Sequence, residues 1–92
     1  MSYRVELRPA ARRYLGRLPR NAQRLIIEHL ESLEEDPRPS WSKPLRRDLK
    51  GRLSFRVGGY RVVYLVHDEV LFVLVMGIGR RGRVYDDAGR RE

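Results

Sequence analysis

Arginine is the residue type through which this chain is equipped to do chemistry. Of its 20 basic residues 18 are arginine, against 12 acids, for a net charge of +8. Between positions 43 and 61 seven basic residues (Lys43, Arg46, Arg47, Lys50, Arg52, Arg56 and Arg61) meet one acid, Asp48. Arg80, Arg81 and Arg83 then follow with no acid among them. Residues 43–85 thus hold ten positive charges and three negative ones (Asp48, Asp68 and Glu69), a net +7. The guanidinium is a planar fork that grips phosphate with two parallel hydrogen bonds. Such a cluster suits holding a phosphodiester and neutralising charge that builds on it. A genome rich in arginine codons and a solvated basic face would account for the abundance alone.

The placement says more. A two-residue hairpin turn needs backbone with positive φ, which Gly58-Gly59 supplies. With that turn, Val57 pairs with Tyr60 and Arg56 falls directly opposite Arg61. Two like charges opposed on one sheet face are destabilising, so the arrangement makes sense if an anion lies between them. The segment Gly77-Ile78-Gly79-Arg80-Arg81-Gly82-Arg83-Val84-Tyr85 closes the basic region. Its glycines permit a bulge or sharp turn at a strand end and would bring Arg81 and Tyr85 toward the hairpin arginines. Tyr85 is suited to stack on a base and equally to serve as packing.

Other constellations are thinner. Glu31, Glu34, Glu35 and Asp36 read as a solvated acidic helix end. His29 lies at the edge of an apolar stripe and reads as structural. His67 falls at a turn, with no carboxylate or second histidine at ligand spacing. Trp41 either anchors its loop to the core or contacts RNA or a partner. Gly77-Ile78-Gly79 has no helix after it and is therefore no dinucleotide fingerprint.

The elements that must position these residues follow from periodicity. Tyr3-Arg4-Val5-Glu6-Leu7 alternates as a half-buried strand does. Pro9 suits the first turn of a helix that carries Ala10, Ala11, Tyr14, Leu15 and Leu18 and breaks at Leu18-Pro19. A second helix is predicted from about Arg20 to Glu35, with Ala22, Leu25, Ile26, His29, Leu30 and Leu33 on one stripe. A loop with Pro37 and Pro39 ends it. Leu53 to Val57, Tyr60 to Val66 and Val70 to Ile78 read as three strands, the last two joined at Asp68-Glu69. The order β-α-α-β-β-β predicts an α+β fold, an antiparallel twisted sheet with a helical hairpin on one face. The central strands are apolar on both faces, as doubly covered strands are. A partner chain, a dimer, an apolar-floored groove or the chain's own loops would cover the second face.

Ninety-two residues suffice for one domain over 1–92, with 85–92 expected as a flexible tail. The absence of cysteine excludes a disulfide framework and thiolate chemistry. No apolar run is long enough for a membrane span, and the N-terminus has no signal-like apolar core. A small, basic, cytoplasmic domain is expected.

The chain resembles the RelE toxins of the RelE/ParE superfamily. The resemblance rests on Lys43-Pro44-Leu45, Leu49-Lys50-Gly51, the hairpin Phe55-Arg56-Val57-Gly58-Gly59-Tyr60-Arg61-Val62-Val63-Tyr64, and Ile78-Gly79-Arg80-Arg81 with Val84-Tyr85. The opening strand with Tyr3 and Val5, then Ala10, Ala11 and Leu15, adds to it, so residues 3–85 are covered. It implies the toxin of a type II toxin–antitoxin pair. Such a toxin is a metal-independent endoribonuclease that cuts messenger RNA in the ribosomal A site. It needs no cofactor and no metal, a cognate antitoxin neutralises it by covering the basic face, and operator DNA is met only through that complex.

By similarity, Arg61, Arg81 and Tyr85 are the expected catalytic set. Lys43, Arg46, Arg47, Lys50, Arg52, Arg56, Arg80 and Arg83 are the expected RNA contacts. Strongly active RelE proteins often carry lysines on the strand leading into the hairpin, where this chain has Arg52 and Ser54. An arginine does not readily give up its proton, so the general base stays open. Tyr85, beside arginines that favour its phenolate, is the first candidate. Two other readings remain: a ParE-type inhibitor of DNA gyrase, which usually lacks the C-terminal arginine and tyrosine, and a non-enzymatic nucleic-acid-binding module.

Overall fold

A computed structural model describes residues 2–45 and 51–80. Among the described residues five strands and two α-helices follow one another as β1 (Arg4–Leu7), α1 (Pro9–Gly16), α2 (Arg20–Ser32), β2 (Lys43–Pro44), β3 (Arg52–Val57), β4 (Tyr60–His67) and β5 (Phe72–Arg80). The sheet order is β1-β5-β4-β3-β2. The class is α+β, with two departures from the expected all-antiparallel sheet. β1 runs parallel to β5, Val5 beside Val73 and Leu7 beside Val75. The helical hairpin carries the chain from β1 across the sheet, so β1 reaches the far edge in the sense of β5. β2 is a two-residue strand containing a proline, too short to leave a period in the sequence.

The helices begin and end where proline dictates. Pro9 stands in the first turn of α1, and Pro19 caps α2 without a side-chain hydrogen bond. The orphan carbonyls at the end of α1 are met from α2: the Gln23 amide donates to Gly16 O at 3.1 Å and Leu18 O at 2.9 Å. That pair of bonds fixes the hairpin between the helices.

Ala11, Ile26, Leu30 and Leu33 from the helices bury against Phe55, Val57, Val62, Tyr64, Val73, Val75 and Ile78 of the sheet. Each fully buried aliphatic side chain here contributes about 1.5–3 kcal/mol. Leu25, expected on the buried stripe, is instead 41% exposed. The other sheet face carries a smaller cluster, with Val63 and Met76 buried and Leu45, Leu65 and Leu74 packed against it. Part of the second apolar face is therefore covered within the chain. β5 is bulged opposite Val63 and Tyr64, where Val63 pairs with Gly77 and Tyr64 with Val75. The bulge adds one residue, Met76, and it is Met76 that joins the second cluster.

The connection from α2 to β2 is pinned at three places. Tyr64 is fully buried and donates its hydroxyl to Pro37 O at 2.8 Å. Arg38 forms a bidentate pair with Asp68 at 2.9 and 3.0 Å, and Tyr3 donates to the same carboxylate at 2.8 Å. Ser42 closes a turn by donating its backbone N–H and its hydroxyl to Pro39 O, each at 3.1 Å. Asp68 is held at about 2, below its ordinary 3.8, first by the Arg38 guanidinium and then by the Tyr3 hydroxyl.

Candidate functional site

The hairpin between β3 and β4 turns at Gly58-Gly59, and Gly58 has φ +59°, the conformation that favours glycine. The resulting register sets Val57 against Tyr60 and Arg56 against Arg61. On β4's other side Arg61 is paired with Gly79 of β5. That row therefore offers two guanidinium side chains and, beside Arg61, no side chain at all. One register step away, Ser54 is paired with Val63 on one side and with Lys43 of β2 on the other. Directly paired residues share a face, so Lys43, Ser54, Arg56 and Arg61 stand on the same side of the sheet, away from the helices.

These residues line one depression of about 360 Å³, together with Trp41, Pro44, Leu45 and Phe55. Arg56 and Lys43 are exposed and Arg61 is half-buried. Among the described residues three cations and no acid line it, a lining that favours an anion, and the opposed guanidinium pair suits the oxygens of a phosphate. Lys43 adds an ammonium, which unlike a guanidinium can donate a proton and take it back.

The other sequence candidates fall elsewhere. Arg52 is only 4% exposed. It pairs with Leu65 in the sheet interior, and the chain at Leu45 runs along it, Leu45 N–H donating to Arg52 O at 2.8 Å. Expected as a surface RNA contact, Arg52 is a covered side chain in this fold. Arg80 pairs with Tyr60, on the helix side of the sheet, and its guanidinium lies 5.2 Å from the Tyr60 ring centroid. Tyr60 in turn meets Tyr14 of α1 edge-on at 6.5 Å. Arg80 therefore stands on the opposite face from Arg56 and Arg61, because it directly follows Gly79, the partner of Arg61, and strand side chains alternate. Arg46, Arg47, Lys50, Arg81, Arg83 and Tyr85 lie outside the described residues.

Sequence reasoning did not find the aromatic cluster that backs Trp41 at the rim of the depression. His29 of α2 stacks on Phe55 at 5.5 Å and 13°, and Trp41 meets both rings at right angles, 4.9 Å from His29 and 5.1 Å from Phe55. His29 is fixed by donating its Nδ1–H to Leu25 O at 2.7 Å. The sequence signals were His29 on an apolar stripe and Trp41, read as a loop anchor or as a contact for RNA or a partner, and neither said what the ring packs against.

With this geometry in hand, comparison with known proteins decides the family. The profile of the ParE toxins of type II toxin–antitoxin systems matches residues 5–85. The chain belongs to that family, within the RelE/ParE superfamily. It is 35% identical over 86 residues to Toxin RelG of Mycobacterium tuberculosis, covering 92% of this chain and 98% of the relative. It is 36% identical over 83 residues to Toxin RelE of the same organism, covering 90% and 86%. Among solved structures it superposes on the toxin–antitoxin complex RelBE2 from M. tuberculosis with a TM-score of 0.77 at 34% identity, over 88% of this chain and 100% of that one. The isolated Escherichia coli RelE toxin gives 0.75 at 28% identity, over 98% of each chain. This chain is thus a type II toxin of the RelE/ParE superfamily, built on the RelE fold.

Proposed function

We propose that this toxin is a ribosome-dependent endoribonuclease that cuts messenger RNA in the A site, and that a cognate antitoxin silences it. The observation that carries the reading is Arg56 opposed to Arg61 in a depression that also holds Lys43. Two strands spend cross-strand repulsion to hold a site for one anion. The RelE and RelG relatives, and solved complexes of RelE-type toxins with RelB antitoxins, support the same assignment.

The reaction is attack of a ribose 2′-oxygen on the adjacent phosphorus. The 2′-hydroxyl proton goes to a base, the P–O5′ bond breaks, and the 5′-oxygen takes a proton, leaving a 2′,3′-cyclic phosphate and a 5′-hydroxyl. Arg61 and Arg56 would hold the non-bridging oxygens and stabilise the charge that grows on them, the contribution usually largest in such steps. Arg81 is proposed as a further phosphate ligand and Tyr85 as the proton-transferring group, on their match to the RelE pattern. Lys43 is proposed as an RNA contact beside Arg56 and Arg61.

The ParE description of the matching family favours one second reading, inhibition of DNA gyrase by protein contact. The two separate in one pair of assays. Purified toxin added to a reconstituted translation reaction should yield discrete message ends inside A-site codons, only when ribosomes are present, while leaving gyrase supercoiling unchanged. Intact message with inhibited supercoiling would replace the nuclease with the gyrase reading.

A further inference from the structure

Trp41 is the only tryptophan of the chain. It is 39% exposed, and it lines the same depression as Lys43, Arg56 and Arg61. An exposed aromatic alone means little, so its setting decides. The His29, Phe55 and Trp41 ring centroids are 4.9, 5.1 and 5.5 Å apart, nearly an equilateral triangle. Both partner rings therefore lie in one direction from the indole centroid, and the indole keeps exposed surface where it lines the depression. The backbone is held as well, because the Pro39–Ser42 turn is closed by two hydrogen bonds to the Pro39 carbonyl.

An indole held from one side, on the wall of a cationic depression, is a surface for an unpaired base. Base–aromatic stacking needs one free aromatic surface and a nearby cationic track for the backbone. At about 360 Å³ the depression lies at the small end of ligand sites, roughly 300–1,000 Å³, a size suited to one nucleotide. β2 reinforces this. Its pairing with β3 ends at Ser54, so Trp41 is placed at the corner where β3 runs on without β2 beside it.

We propose that Trp41 is a base-stacking subsite, holding one unpaired base of the RNA whose neighbouring phosphate lies at Arg56 and Arg61. This rests on the RNA reading above and adds the residue that grips the nucleotide beside the reacting phosphate. Trp41 takes no part in the proton transfers.

The lone tryptophan makes the test direct. The intact chain is titrated with a 2′-O-methyl RNA trinucleotide, which resists cleavage, and with the same trinucleotide lacking its central base. Saturable quenching of Trp41 fluorescence is expected with the first, and affinity about 5- to 100-fold weaker with the second, the range one stacked base supports. Equal affinity for the two, or absence of quenching, overturns the subsite. In the ribosome assay Trp41→Ala should raise KM more than it lowers kcat, and Trp41→Phe should recover most of the loss while keeping an aromatic wall. Base-dependent quenching without message cleavage would keep the subsite and remove the nuclease. Cleavage by Trp41→Ala with wild-type kinetics would do the reverse.

Discussion

Arg56 and Arg61 stand directly opposite each other across the β3–β4 hairpin, on the sheet face turned away from the helices. A cross-strand pair of like charges is destabilising. Arg56 is exposed, and its removal opens no cavity. Arg56→Gln should therefore raise stability to urea by a few tenths of a kcal/mol while weakening RNA binding. Equilibrium unfolding and a binding titration on the same variant read both signs. A variant that is less stable would show that the pair has a structural purpose.

Lys43 reaches the site only through β2, a strand of two residues opposite Leu53 and Ser54. If its ammonium contacts RNA backbone, Lys43→Met should flatten the salt dependence of binding. The slope of log affinity against log salt should fall by about 0.7, the value for one phosphate on a single strand. Anisotropy of a labelled RNA over a salt series checks this, and an unchanged slope would put Lys43 outside the contact.

The Arg38–Asp68–Tyr3 cluster ties the connection before β2 to the turn between β4 and β5. Asp68 titrates at about 2 in the fold and near 3.8 when released. Because the folded value is the lower one, its stabilising effect is complete above pH 4 and is lost as pH falls through 2. The groups are exposed, so the effect should shrink with added salt. Melting temperature should fall between pH 4 and pH 2 in the native chain, and less steeply in Asp68→Asn.

Tyr64 is the largest fully buried side chain, and its hydroxyl meets the buried carbonyl of Pro37. Tyr64→Phe leaves that carbonyl without its donor and should cost about 1–2 kcal/mol. Burial holds the Tyr64 phenol above its ordinary value, so its ionisation opposes the fold as pH rises past 10. The variant should therefore lose less stability than the native chain between pH 9 and pH 11. Urea unfolding at the two pH values measures both effects.

The hairpin was legible from the sequence because a two-residue glycine turn leaves one register for the apolar face, and that register opposes Arg56 to Arg61. The helices were legible from their stripes, although α2 ends at Ser32 and not at Glu35. β5 runs from Phe72 to Arg80, two residues later than periodicity suggested. Val70 is taken up in a short 3₁₀ turn, Asp68–Val70, and Leu71 adopts φ 51° after it. The parallel pairing of β1 with β5 was not legible, because alternation in a strand says which side is buried and not which neighbour it meets. Charge counting grouped Arg52 and Arg80 with the hairpin arginines. Burial removed the first, and the alternation of β5 put the second on the helix side. Trp41, His29 and Phe55 meet from three elements far apart in sequence, and no local pattern records such a meeting.

The most direct test of the central claim compares the native toxin with Arg61→Ala in a reconstituted translation reaction, with message ends mapped by primer extension. Cuts within A-site codons are expected from the native chain only in the presence of ribosomes. Cleavage should fall at least 100-fold in the variant, the scale for removing one transition-state contact, with the circular dichroism spectrum unchanged. Undiminished cleavage by Arg61→Ala, or intact message with the native chain, would contradict the phosphate site built on the hairpin.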